Sequence, residues 1–169
     1  MKKILSILLA CGIVLSFSGC FSNEVKDAGD KVQSAAEDYL EGNADVNEYQ
    51  NALEDYNDAI SGNVKGYDDI NEYIEASKKS ENYKSMLEGL ENSGLKLSLE
   101  ADGNKLVYKY TYTIEVVENV AQILQDNFKA QDATFESSAK VIKTEAPCVE
   151  KVVWEYYTVD GKFIASIEK

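Results

Sequence analysis

The chain has 169 residues, 44% of them hydrophobic, which suits one domain of ordinary size with something appended. It sets 30 acidic residues against 17 basic ones, a net charge of −13, and every basic residue is a lysine. A surface this acidic, with no guanidinium to grip phosphates in bidentate fashion, argues against nucleic acid and anionic lipid headgroups as partners. The chain also lacks histidine. That removes histidine-rich zinc sites, histidine-based triads and the usual proton shuttle of neutral pH.

The first twenty residues say where the protein resides. Lys2 and Lys3 give a positive start, Ile4 to Phe17 is an uncharged apolar run of about fourteen residues, and Ser18-Gly19 leads into Cys20. This is the anatomy of a secretory signal peptide, expected over residues 1–19. Phe17-Ser18-Gly19-Cys20 resembles the lipobox of bacterial lipoproteins, with Phe17 where that family prefers leucine. The resemblance implies that Cys20 receives a diacylglyceryl thioether and becomes the mature N-terminus. An ordinary cleaved signal is the alternative. The apolar run is short of the roughly twenty residues that a spanning helix needs. Removal of the signal takes two lysines, so the mature charge falls from −13 to −15. It also takes Cys11. With Cys20 lipidated, Cys148 stands alone and forms no internal disulfide.

Residues 20–66 read as a helical segment. From Glu24 to Glu41, Val25, Ala28, Val32, Ala36, Tyr39 and Leu40 share one face, and Gly42-Asn43 is a natural stop. Asp45 and Glu48 then have the spacing of a capping box. Val46, Tyr49, Leu53, Tyr56 and Ile60 follow three and four apart, and Gly62 closes the piece. The expected result is an antiparallel helical hairpin with a narrow apolar seam. Asp69 and Glu72 repeat the capping spacing ahead of Ile70, Tyr73, Ile74, Tyr83, Met86, Leu87 and Leu90. Ser80 is placed to cap a second piece, and Gly94 ends it.

The period then changes. Leu95, Leu97 and Leu99 alternate with polar residues, and Asp102-Gly103-Asn104 is a hairpin signal. Leu106, Tyr108, Tyr110, Tyr112 and Ile114 alternate again. With Asp102-Gly103 in the loop Leu99 faces Leu106; with Gly103-Asn104 in the loop it faces Tyr108. Either register leaves the same face apolar. Val117, Val120, Leu124, Phe128, Phe135, Ala139 and Ile142 keep one stripe, which predicts a single long helix over 116–143 with Gln131 as its weak point. After Ala146-Pro147, Val152, Trp154, Tyr156 and Thr158 alternate. Asp160-Gly161 then folds the chain back to pair Trp154 with Ile167, Tyr156 with Ala165 and Thr158 with Phe163. The fold class is therefore α+β: N-terminal helices, then a ββ-α-ββ antiparallel sheet over residues 67–169, packed against one long helix that lays Phe128 under Trp154.

Three stretches carry a likeness to a known family. They are Asp69-Ile70-Asn71-Glu72-Tyr73, the run Gly103-Asn104-Lys105-Leu106-Val107-Tyr108-Lys109-Tyr110-Thr111-Tyr112, and Tyr157-Thr158-Val159-Asp160-Gly161-Lys162 with the strand after it. Over about residues 69–169 the chain resembles a domain of unknown function found in small lipoproteins of Gram-positive bacteria. The resemblance implies no activity, substrate or catalytic residue.

No constellation of side chains points to chemistry. Cys148 has no histidine to activate it and reads as a small buried side chain. Asp55, Asn57 and Asp58 begin near a calcium-loop pattern, but Ile60 and Ser61 stand where that loop turns on glycine, so no metal site is assigned. With 30 acids, no pair singles itself out as the two carboxylates of a glycosidase. The strand aromatics Tyr108, Tyr110, Tyr112, Trp154 and Tyr156 fall on the face that the helix must cover, so core packing accounts for them. Tyr157 points the other way, beside Val107, Val153 and Ile164. That partly apolar second face is the candidate binding surface, for the N-terminal helices or for a partner. The expected protein is a lipid-anchored, extracytoplasmic, non-catalytic binding module for an envelope protein or wall component, with no cofactor. A structural spacer is the alternative, and a hydrolase of wall polymers comes third.

Overall fold

The computed structural model describes residues 23–41, 43, 45–61 and 66–169. The signal segment with Cys20, and the glycine stops Gly42 and Gly62, lie outside them. The order of elements is α1 (Asn23–Glu41), α2 (Val46–Ile60), α3 (Ile70–Lys79), α4 (Glu81–Asn92), β1 (Leu95–Asp102), β2 (Lys105–Tyr112), α5 (Val120–Ala130), α6 (Asp132–Glu145), β3 (Lys151–Tyr157) and β4 (Phe163–Glu168). The described residues are thus mixed α+β, with most helices ahead of the sheet.

Side-chain caps open the helices where the sequence places them. Asp45 Oδ1 accepts from Asn47 N at 2.8 Å and Glu48 N at 3.1 Å. Asp69 Oδ1 accepts from Asn71 N at 2.7 Å and Glu72 N at 3.2 Å. Each satisfies N–H groups that the first turn leaves orphaned, worth about 1 kcal/mol per cap. Ser80 serves two helices: its hydroxyl donates back to Ser77 O at 2.8 Å and accepts from Tyr83 N at 3.1 Å. Gly94, at φ 77°, turns the chain out of α4 into β1 in the left-handed region that glycine tolerates.

The sheet order is β1-β2-β3-β4. β1 pairs antiparallel with β2, and Leu99 faces Tyr108, so Gly103-Asn104 forms the turn. β3 pairs antiparallel with β4, and Trp154 faces Ile167 while Tyr156 faces Ala165, as alternation requires. Three expectations are corrected. First, the two hairpins meet through a parallel seam between β2 and β3, so the sheet is mixed. Second, the connection is two helices. Gln131, at φ −119°, interrupts the backbone between α5 and α6, although the apolar stripe keeps its phase across it. Third, Phe163 pairs with Tyr157 in place of Thr158, because an irregularity between Tyr156 and Tyr157 leaves Ile164 as an extra residue on β4.

One sheet face is the core. Leu95, Leu97, Leu99, Leu106, Tyr108, Tyr110, Tyr112, Val152, Trp154 and Tyr156 pack with Ile70, Tyr73 and Ile74 of α3, Leu90 of α4, Leu124 and Phe128 of α5, and Phe135, Ala139 and Ile142 of α6. Aromatic pairs stack across the parallel seam, Tyr108 on Trp154 at 5.8 Å and Tyr110 on Tyr156 at 4.9 Å. Trp154 meets Phe135 edge-on at 5.0 Å, and Phe128 instead lies on Tyr156 at 5.7 Å, which corrects the expected Phe128–Trp154 pair.

The α1–α2 hairpin forms a second cluster. Val25, Ala28, Val32, Tyr49, Leu53, Tyr56 and Ile60 pack with Val141 of α6. Helix α6 therefore presents Phe135, Ala139 and Ile142 to the sheet and Val141 to the hairpin. The hairpin lies behind the helices and not on the outer face of the sheet.

Candidate functional site

Cross-strand rows organise the outer sheet face. One row runs Glu100, Val107, Val153, Glu168; the next Ser98, Lys109, Glu155, Ser166; the last Lys96, Thr111, Tyr157, Phe163. Val107 and Val153, though on the solvent side, are only 8% and 7% exposed. Charged side chains surround them. Lys105 reaches from β2 to Glu168 of β4 at 2.7 Å, so this ion pair spans β3, and Lys151 joins Glu168 as well. Lys109 pairs with Glu100 at 3.6 Å. Long aliphatic stems of this kind cover apolar surface while their heads stay in water. The two valines are therefore not an open apolar patch.

The other two candidate residues part company. Tyr157 is half-buried on the outer face. Its hydroxyl donates to Glu155 Oε2 at 2.7 Å, and Lys109 Nζ stands 5.0 Å from its ring centroid. The hydrogen bond to the Glu155 carboxylate, then burial, pushes the phenol up to about 12. Ile164 packs against the inner core. The extra residue on β4 gives its outer position to Phe163, whose ring meets Tyr157 edge-on at 5.8 Å.

Alternation did not single out the side chains that are most exposed. Among the described residues the exposed large apolar ones are Ile114 (55%), Val117 (59%), Val159 (53%) and Phe163 (57%). All four belong to the loops 113–119 and 158–162 and the first residue of β4. Since β2 and β3 run parallel with Thr111 beside Tyr157, both loops leave the same end of the sheet. Ile114 also lies against Gly94, where β1 begins, since a Cβ there would stand 3.4 Å from its Cδ1. The four exposed side chains thus belong to segments that meet at one end of the sheet. This corrects the sequence reading, which set Ile114 on the apolar face of β2 and Val117 on the helix stripe: β2 stops at Tyr112 and α5 starts at Val120, so neither residue reaches those faces.

A polar node lies in the interior, centred on Glu145. Glu145 is 2% exposed and lies at the end of α6. Tyr56 Oη donates to its Oε1 at 2.7 Å and Tyr73 Oη to its Oε2 at 3.2 Å. Burial first, then the nearby carboxylate, holds both phenols well above their ordinary range. Enclosed on all sides, the node fastens elements together and is closed to a substrate. Cys148 is half-buried against the core, and burial pushes its thiol up, away from the thiolate that a nucleophile requires. Asn57, from the discarded calcium pattern, is buried, and its Oδ1 accepts from Thr144 Oγ1 at 2.9 Å. Among the described residues no three Cys, Asp or Glu side chains converge as a metal ion requires. A shallow open groove between α1 and α2 carries Lys31, Asp38, Glu48 and Asp55 on its walls. No described helix is long and apolar enough to cross a membrane.

No curated protein and no solved structure matches the chain. A family model described as "Domain of unknown function (DUF4854)" matches residues 70–168, from the first residue of α3 to the last of β4. That is well over half of the 169 residues, and it takes in the sheet, its four covering helices and the exposed side chains at the sheet end. The chain belongs to this DUF4854 family.

Proposed function

We propose that the protein is a lipoprotein held by a lipid on Cys20 at the extracytoplasmic face of a Gram-positive cell membrane, where its α+β domain binds a protein or wall component without turning it over. The signal anatomy and the Phe17-Ser18-Gly19-Cys20 motif support the anchoring. The observation that carries the binding role is the exposure of Ile114, Val117, Val159 and Phe163, each more than half exposed on segments at one end of the sheet. Apolar side chains grouped in this way, and not scattered singly, mark interaction surfaces. The spacer alternative asks for a helical segment projecting away from the domain. The α1–α2 hairpin instead packs back on α6.

The test has two parts. Cys20→Ala should move the protein from the membrane fraction into the medium; unchanged retention would count against the anchor. A photo-crosslinking amino acid at Val117 or Phe163 in intact cells should capture a discrete partner that the same residue at Asp58 on the hairpin does not. Turnover of wall fragments, ester or peptide substrates that depends on one carboxylate would replace binding with hydrolysis.

A further inference from the structure

We infer that the sheet end is a docking surface for an apolar protein segment bordered by lysine or arginine. This deepens the binding role above and rests on it.

The exposed apolar side chains are set among carboxylates. Glu115 and Glu118 are exposed on the same loop as Ile114 and Val117, and Asp160 is exposed beside Val159. Two lysines stand at this end: Lys162, which is paired with Asp160 at 2.7 Å, and the exposed Lys96 of β1, so the acid that sets the border is chiefly Glu115 and Glu118. Apolar side chains with an acidic border are complementary to apolar side chains with a basic one. The same border disfavours the other occupants. Anionic headgroups would be repelled by it and by a chain of net charge −13. A second copy docking by the same end would bring Glu115, Glu118 and Asp160 against their own counterparts. The ring of Phe163 is braced by Tyr157, and Ile114 lies against Gly94, so two of the four exposed side chains have fixed supports. Such preorganisation limits the ordering that binding would otherwise demand.

The experiment uses the full chain as cells produce it, held in phosphatidylcholine nanodiscs. It is titrated with an amphipathic peptide of leucine and lysine, and with its leucine–glutamate counterpart. The lysine peptide should bind and the glutamate peptide should not. Val117→Ser with Phe163→Ser changes no charge and should weaken binding by about tenfold or more. Glu115→Lys with Glu118→Lys should do the same, while the equal charge change Glu54→Lys with Asp58→Lys on α2 should leave affinity within about twofold. If the serine variant binds as well as the unaltered chain, the attraction is diffuse and the inference fails. Equal loss from the α2 reversals overturns it in the same way. Quenching of a probe at Val117 by spin-labelled lipid, with no peptide effect, would assign these side chains to the membrane instead. The two claims separate cleanly. Capture at Val117 in cells together with peptide indifference would defeat the partner chemistry and leave the binding role standing; no capture in cells would defeat the role itself.

Discussion

The hydroxyl of Tyr56, on the N-terminal hairpin, donates to the buried carboxylate of Glu145, at the end of α6, across 2.7 Å. Tyr73 of α3 donates to the other oxygen of that carboxylate, and Tyr67 N–H donates to the Glu145 backbone carbonyl at 2.9 Å. One residue thus fastens the hairpin, the segment that follows it and the first helix of the family domain. Tyr56→Phe removes one hydrogen bond to a buried carboxylate, which should cost about 1–3 kcal/mol. Urea unfolding gives the magnitude. Hydrogen exchange should show the α2 amides losing protection before those of the sheet, and uniform loss throughout would show that the hairpin is not separately fastened.

Trp154 is the only tryptophan, fully buried between Tyr108 and Phe135. Trp154→Ala should destabilise the fold by about 3–5 kcal/mol through the cavity it leaves. Phe135→Leu should alter the emission of Trp154, while Phe128→Leu, which removes a ring packed on Tyr156, should leave it nearly unchanged. The reverse order would place Trp154 under α5.

Gly66 is tightly placed. A Cβ there would stand 2.5 Å from Pro147 Cδ and 3.3 Å from the Glu145 carbonyl oxygen. The proline ring cannot swing away, so Gly66→Ala must push residues 66–67 off the end of α6 and lengthen the Tyr67–Glu145 hydrogen bond. The expected loss is about 1–3 kcal/mol, read as a lower urea midpoint. An unaltered midpoint would show that the contact yields easily.

Glu168 gives a pH dependence. Hydrogen bonds from Lys105 and Lys151 lower its carboxyl from 4.5 to about 2. A carboxyl depressed in the folded state contributes fully above its unfolded value and loses that contribution as pH falls through the folded one. The window therefore runs from roughly pH 4.5 down to 2. The group is exposed, so its contribution is small and weakened by salt. Stability measured against pH should show a shallower acid limb in Glu168→Gln, and in the unaltered protein at high salt. Identical acid limbs would show that the ion pairs are idle.

Much of this fold is legible in the chain because local chemistry decides it. Asp45, Asp69 and Ser80 sit where helices need acceptors, and Gly103 and Gly161 turn hairpins whose apolar sides follow from alternation. What escapes is decided by neighbours distant in sequence. Alternation says which side of β2 and β3 is buried, but not that the two strands lie side by side and parallel. Residue spacing continues smoothly across Gln131 although the backbone does not, since both helices rest on the same sheet. The candidate surface failed for a similar reason. Val107 and Val153 read as exposed until the reach of Lys105 over β3 is known, and a single extra residue on β4 exchanged Ile164 for Phe163.

The parallel seam between β2 and β3 bears on how the protein reaches this state. Each hairpin closes a turn of a few residues, an event of microseconds. The seam joins strands separated by the whole of residues 113–150, and it gains its stacked rings, Tyr108 with Trp154 and Tyr110 with Tyr156, only when that long loop has closed. Loop closure of this length is the slow, entropically opposed step. Neither hairpin alone is more than marginally stable in water, so the sheet gains its stability together with the ordering of residues 113–150 and the docking of α5 and α6.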